Sequence, residues 1–289
     1  MLHPSSFTQP QCTTSHSKVV PLLIIALFVT TAAVAAPQED TFIRIWGIHR
    51  QANVSHTTVI NTCREAANQR AENDQPLLAS YYPVIRTIEG WHLLQTGRHD
   101  EATKALTAAL DTQRSNDPLI RAADSIARRW LSRLDREQIV AALKKYHRDN
   151  VEFPPDLSIF NSLPQADRPP LRDRMGNPWV YRLAEFRRLK HAHAQRYLLY
   201  SIAIGRETST LATALNLPYI DTPITYARKN NTSPVMVELT IGTLPDTRTA
   251  IVQEGNRFED IRFLAIDSRN RFMLLCNDDF WLTALPARR

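Results

Sequence analysis

Apolar positions along the chain fall into three patterns: helical spacing first, a mixed middle, and short alternating runs at the end. From Thr41 to about Asp117 the pattern predicts helices separated by short turns. Asp117-Pro118 then supplies an N-cap acid and a proline at the first helical position. Behind it Leu119, Ala123, Ile126, Ala127, Trp130, Leu131 and Leu134 form one apolar stripe. Asp135 with Gln138 looks like a second capping box, after which Ile139, Ala142, Leu143 and Tyr146 continue the stripe. Phe153-Pro154-Pro155 ends that helix, because a residue before proline is pushed out of the α region. Gly176-Asn177-Pro178 is a tight turn, and Trp179–Tyr181 and Tyr197–Ile202 alternate as strands.

Residues 206–233 are polar, with Pro218, Pro223 and Asn230-Asn231, and read as a linker or irregular loop. Five short runs follow at Val235–Leu239, Thr249–Val252, Ile261–Ile266, Phe272–Leu275 and Phe280–Leu285. Their size predicts a small antiparallel sandwich or barrel over 234–289. The expected fold class is α+β, with a helical region 37–117, an α+β module 118–205 and the β domain behind the linker.

The first 36 residues break this picture. Met1–Ala36 hold no acid and a single Lys18, followed by the apolar run Val19–Ala36 ending in Ala32-Ala33-Val34-Ala35-Ala36-Pro37. A basic start, an apolar centre and small residues at the end make a secretory signal cleaved after Ala35 or Ala36. The alternative is an uncleaved anchor, since about 18 apolar residues is the lower limit for a span. Either way the remainder is exported, so a membrane contact would run through the N-terminus. Export leaves Cys63 and Cys276 in an oxidising compartment, either bridged or as two buried thiols; spacing decides neither.

Composition removes several functions. The 289 residues include 7 glycines, none closer than seven positions to the next. That leaves no G-x-G-x-x-G, no Walker A loop and no G-x-S-x-G elbow. The net charge of +6 is spread among interspersed acids, which favours an ordinary basic surface over nucleic-acid binding.

Two stretches carry a likeness to known families. Glu89–Leu110, with Gly90, the turn glycine Gly97 and Ala102, resembles one tetratricopeptide unit, although Arg86 and Glu89 stand where Trp and Leu are usual. Small residues at Gly90 and Ala102 would let two helices approach closely. The order "ALKKYHRDNVEFPPDL", "RDRMGNPWVY", "RYLLYSIAIG", over about 141–205, is similar to the globular part of the major pseudopilin of type II secretion systems. Asp173, Gly176, Asn177, Pro178, Tyr181, Tyr197, Tyr200 and Ser201 carry that similarity, while Val151 replaces the family's turn glycine. There is no prepilin-peptidase motif, so processing and polymerisation as a pseudopilin are not implied. The family's calcium loop follows its second strand, but here Glu207 is the one acid offered, so no calcium is expected.

The frame Ala250–Leu275 with Phe280–Leu285 resembles the periplasmic homology region of the type II secretion clamp protein and the pilus-assembly lipoprotein, through Gly255, Ile261, Ile266, Arg271 and Leu274. Together these likenesses imply a non-enzymatic scaffold or adaptor, periplasmic or anchored facing the periplasm, with other secretion or pilus-assembly envelope proteins as partners. The alternative is an exported small-molecule or polysaccharide-binding protein or hydrolase, with Trp179, Trp281 and the tyrosines lining a cleft.

Individual residues offer little chemistry. His49, His56, His92, His99, His147, His191 and His193 remain after signal removal, without acids or cysteines at zinc spacing. They read as surface or partner-contact side chains. His92 and His99 share a helical face, and His191 and His193 would share a strand face. Asp278-Asp279 reads as a solvated turn and Arg187-Arg188-Leu189-Lys190 as a solvated basic patch. No catalytic residue, metal or cofactor is expected.

Overall fold

In the computed structural model, which describes residues 41–49, 51, 53–73, 76–184, 196–217, 223–230, 233–266 and 273–287, helices precede strands as the patterning predicts. The signal segment, Arg187–Lys190, His191, His193 and Pro218 lie outside the described residues. The helices are α1 (Thr41–His49), α2 (His56–Asn73), α3 (Pro76–Gln95), α4 (His99–Ala108) and α5 (Pro118–Asn150). No helix among the described residues is long and apolar enough to cross a membrane.

The α5 helix is a spine of 33 residues, about 50 Å long at the usual rise. The Asp117 carboxylate caps it by accepting from the Leu119 N–H at 2.7 Å and the Ile120 N–H at 3.4 Å. The second cap expected at Asp135 does not form. No glycine or proline interrupts the stripe there, and the Asp135 carboxylate instead takes the Arg174 guanidinium at 2.5 and 2.8 Å. At the far end Val151 is held at φ +65°, in the left-handed region, and its N–H donates to His147 O at 2.7 Å. A β-branched residue is strained there, where glycine would be at ease.

Two cores flank this spine. The smaller packs Ile139, Leu143, Leu157, Phe160, Trp179 and Leu199. It lies between the second half of α5, the 3-10 turns Leu157–Ser162 and Gln165–Asp167, and an antiparallel pair, β1 (Val180–Ala184) with β2 (Arg196–Tyr200). The larger core holds apolar residues of α1 to α4 and the first half of α5 together with those of the C-terminal sheet.

That sheet has seven strands and is nearly closed. In chain order they are β3 (Ile224–Arg228), β4 (Met236–Ile241), β5 (Arg248–Gln253), β6 (Arg257–Phe258), β7 (Ile261–Ile266), β8 (Met273–Cys276) and β9 (Trp281–Pro286). The spatial order is β5-β4-β3-β9-β8-β7-β6, antiparallel except for the parallel pair β3 and β9. The five expected strands are present. A correction falls on 206–233, which is not simply a linker: it contains the short helix α6 (Leu211–Leu215) and β3, a central strand. The alternation Ile224, Tyr226 inward and Thr225, Ala227 outward is real but only five residues long, and Pro223 and Asn230 beside it read as loop.

Between α3 and α4 a Cβ added at Gly90 would stand 2.7 Å from the Leu106 side chain, and Ala102 is buried. Gly97 turns the chain at φ +72°. Arg86 and Glu89 have a local role here. Glu89, only 2% exposed, accepts from Arg64 Nε at 3.0 Å and Arg86 at 2.5 Å, while Arg64 reaches Glu101 of α4 at 2.7 Å. A charged network thus links α2, α3 and α4.

Replacing Val151, which is 79% exposed, with glycine should remove backbone strain without touching the core. The expected gain is about 0.5–1 kcal/mol after the unfolded-state entropy of glycine is subtracted. Urea midpoints at constant m-value measure it.

Candidate functional site

Helical spacing puts Arg129 and Arg133 four apart on the face of α5 that also carries Trp130, so two guanidiniums enter the protein beside an apolar ring. Arg133 is 0% exposed and Asp279, in the turn from β8 to β9, is 9% exposed. Arg133 grips both Asp279 carboxylate oxygens at 2.9 Å, and Arg129 grips them at 2.8 and 3.2 Å. The Trp130 indole N–H donates to Asp279 O at 2.8 Å, and the Arg133 guanidinium lies 4.4 Å from that ring. The remaining donors close a third connection: Arg133 Nε to Thr208 O at 2.8 Å and Arg129 to Ala203 O at 3.0 Å. Two arginines of the spine therefore tie it to the Asp279 turn of the sheet and to the segment after β2.

Burial alone would raise the Asp279 pKa, but Arg133 and Arg129 more than offset it and hold it below the ordinary value. Burial pulls the Arg133 guanidinium down, opposed by the same carboxylate. The pair is charged because each partner makes the other's burial tolerable. Asp279 was expected to be a solvated turn residue. The signal that would have found it is the pair of arginines interrupting an apolar helical face.

The residues behind the pseudopilin likeness are brought together, at the junction between the spine and the two-stranded pair. Asp173 is buried, and its Oδ1 accepts from the Met175 N–H at 2.9 Å and the Asn177 N–H at 2.8 Å. Ser201, just past β2, donates to Asp173 Oδ2 at 2.6 Å. Gly176 makes the turn at φ +91°, and Pro178 bridges to Arg172. Tyr181 donates to Pro154 O at 2.8 Å, while Tyr197 packs edge-on against Phe153. Tyr200 faces Val180 in the strand register. Ser132 of α5 accepts from the Arg174 N–H at 2.9 Å, fastening the turn to the spine. Gly90, Gly97 and Ala102 lie elsewhere, between α3 and α4.

Beside this junction is a groove of about 660 Å³ between the second half of α5 and the 3-10 turns. Ala141, Lys145, Tyr146, Phe160, Leu163 and Arg168 are among its walls. Ile159 also lines it and is 42% exposed, which is unusual for a large aliphatic side chain at a concave surface. Arg168 holds the rim by donating to Asn161 O at 2.7 Å and Leu163 O at 3.2 Å. The volume falls within the range of ligand and peptide sites.

Several other expectations are resolved. Trp179 and Trp281 are buried in separate cores and do not share a cleft. Cys63 and Cys276 are both buried free thiols; burial pushes Cys63 far up and Cys276 up to about 12, so neither is a nucleophile near neutrality. His92 does not pair with His99. Instead it is buried and hydrogen-bonded to His49 and His56, correcting the surface reading of these three. Among the described residues no group of three or more His, Cys, Asp or Glu is placed to hold a metal ion.

Truncating Asp279 to alanine leaves the buried Arg133 and the half-buried Arg129 without their carboxylate and should cost about 3–5 kcal/mol. Asp135→Ala should cost less, about 1–2 kcal/mol, because Arg174, 45% exposed at its side chain, can return to water. Because the folded Asp279 pKa is depressed, its contribution is present above pH about 4 and disappears as pH falls through the folded value. Urea unfolding of the two variants against pH reads both effects.

Comparison with family models, with curated proteins and with solved structures gave no match for this chain.

Proposed function

We propose that the chain is an exported, non-enzymatic adaptor of a type II secretion or type IV pilus-like apparatus, acting through protein–protein contacts. The observation that carries this reading is the network of Asp173, Asn177 and Ser201. These are the residues of the pseudopilin likeness, and they cooperate physically rather than lying scattered. On this reading α3 and α4 are a tetratricopeptide-like pair, 118–205 a pseudopilin-like module, and the last sheet the counterpart of the clamp protein's homology region. The N-terminal segment delivers the chain to the periplasmic side, cleaved or as an anchor.

The groove beside α5 is the contact surface this function would use. It sits on the rigid spine, presents Ile159, Phe160 and Leu163 as an apolar floor, and carries Lys145 and Arg168 with Asp149 and Asp167 at its walls. A mixed-charge rim around an apolar centre is the common anatomy of a protein interface. The same volume favours a second reading, an exported binding protein for a small molecule or a saccharide.

Cross-linking in the native host, followed by purification of the tagged full chain from envelope fractions, separates the two. The adaptor reading expects secretion or pilus components to be recovered, and Ile159→Asp or Ala141→Trp to reduce recovery at least about tenfold. Both positions are exposed, so folding stability should move by no more than about 0.5 kcal/mol. Recovery of no such component, or recovery insensitive to both variants, contradicts the adaptor reading. Binding of a saccharide that Ala141→Trp abolishes supports the second.

A further inference from the structure

His49 ends α1, His56 begins α2 and His92 lies near the end of α3, and the fold gathers these three rings into one row. His49 Nδ1 stands 2.9 Å from His92 Nε2, and His56 Nδ1 stands 2.8 Å from His92 Nδ1. The row is packed on aromatic rings. His49 stacks on Phe280 with centroids 4.2 Å apart, and Trp91 is edge-on to His49 at 6.0 Å and 5.9 Å from His56. Phe280 directly follows Asp279, so the row touches the same turn that the spine arginines hold. His49 and His92 are buried, whereas His56 is partly open to solvent.

Proton counting limits what this row can hold. Three imidazoles have six ring nitrogens, and when neutral they carry three protons and three lone pairs. Each of the two ring-to-ring links needs one lone pair. One added proton leaves two lone pairs, enough for both links. A second added proton leaves one, so at least one link becomes N–H facing N–H. We propose that His49, His92 and His56 form an acid-operated latch: while the row holds at most one extra proton it fastens α1 and the start of α2 to α3 and to the β8–β9 turn, and a second proton opens it.

Among the described residues, the carboxylates nearest the row are already engaged by arginines. Glu89, one turn earlier on α3, is engaged by Arg86 and Arg64, and Glu101 of α4 by Arg64 and Arg98. Asp279 of the turn is engaged by Arg129 and Arg133 of α5, and Asp278 by Arg257 and Arg262. The groups that act on His92 are His49 and His56 themselves. Burial, and then those two rings, depress His92 from the ordinary imidazole value to about 2, and burial lowers His56. The open form therefore binds more protons than the closed form below pH about 6.5. Opening becomes easier as pH falls, by up to about tenfold per pH unit for each depressed histidine. The row joins the end of α1 and the start of α2 to α3 and the β8–β9 turn, whereas the second half of α5 is held by the smaller core.

Hydrogen exchange of the full chain at pH 7.5 and 5.5, corrected for the chemical exchange rate, tests the latch. Amides of α1 and the first turns of α2 should open at least about tenfold more often at the lower pH, while those of 139–146 stay unchanged. His92→Gln, which keeps a neutral hydrogen-bonding side chain, should cut the difference to about half its logarithm, the share left to His56. Should His92→Gln fail to fold, His56→Asn at the partly open position decides: the pH effect must shrink to about half its logarithm. An unchanged opening rate in the wild type overturns the latch. So does an equal rise over 139–146, or a pH effect of full size in both variants.

Discussion

The described fold depends on keeping one guanidinium dry. Arg133 is fully buried on the apolar side of α5 with the half-buried Arg129 beside it, and a buried cation without a partner would cost several kcal/mol. Asp279 removes that penalty only if the β8–β9 turn lies against the helix. The carbonyls of Ala203 and Thr208 absorb the remaining donors only if the segment after β2 also comes there. A requirement of charge satisfaction thus fixes the mutual position of segments more than seventy residues apart. Burying Phe280 and Trp281 in the larger core then adds about 1.5–3 kcal/mol for each ring. Trp281 secures its own place by donating to Thr87 of α3 at 2.8 Å.

The spine makes two kinds of surface from one helix. Its first half is enclosed by other helices and by the sheet, and its second half carries a smaller core and an open groove. The Asp135–Arg174 pair and Ser132 stand where the two meet, and they hold the Asp173 turn in place. A fold built this way presents its groove on a part anchored at one end by a buried ionic knot. That arrangement suits contacts that must keep a fixed orientation.

How much of this was legible in the sequence varied with the physics involved. Local chemistry read well: the Asp117-Pro118 cap, the end of the spine near Phe153 and five strands of the last sheet all follow from patterns spanning a few residues. The β3 strand was missed because Pro223 and Asn230 beside it are loop residues, and its membership in the sheet is decided by β4 and β9, distant in sequence. Asp135 imitated a helix cap because sequence shows the side chain but not Arg174 waiting for it. Asp279 and the three histidines have partners 36 to 150 positions away, and no spacing rule connects them. The motif residues around Asp173 lie between these cases, since Asp173 and Asn177 are local while Ser201 is 28 positions on.

If the ionic knot makes the helices, the spine and the sheet interdependent, they should unfold together. Trp179 reports on the smaller core, and Trp46, Trp91, Trp130 and Trp281 report on the larger one. The direct measurement is urea unfolding of the full chain followed by far-UV circular dichroism and by fluorescence, with Trp179→Phe separating the two signals. The account predicts one transition with coincident midpoints for both cores. Two transitions, with the smaller core or the sheet melting first while the other signal stays native, would contradict it.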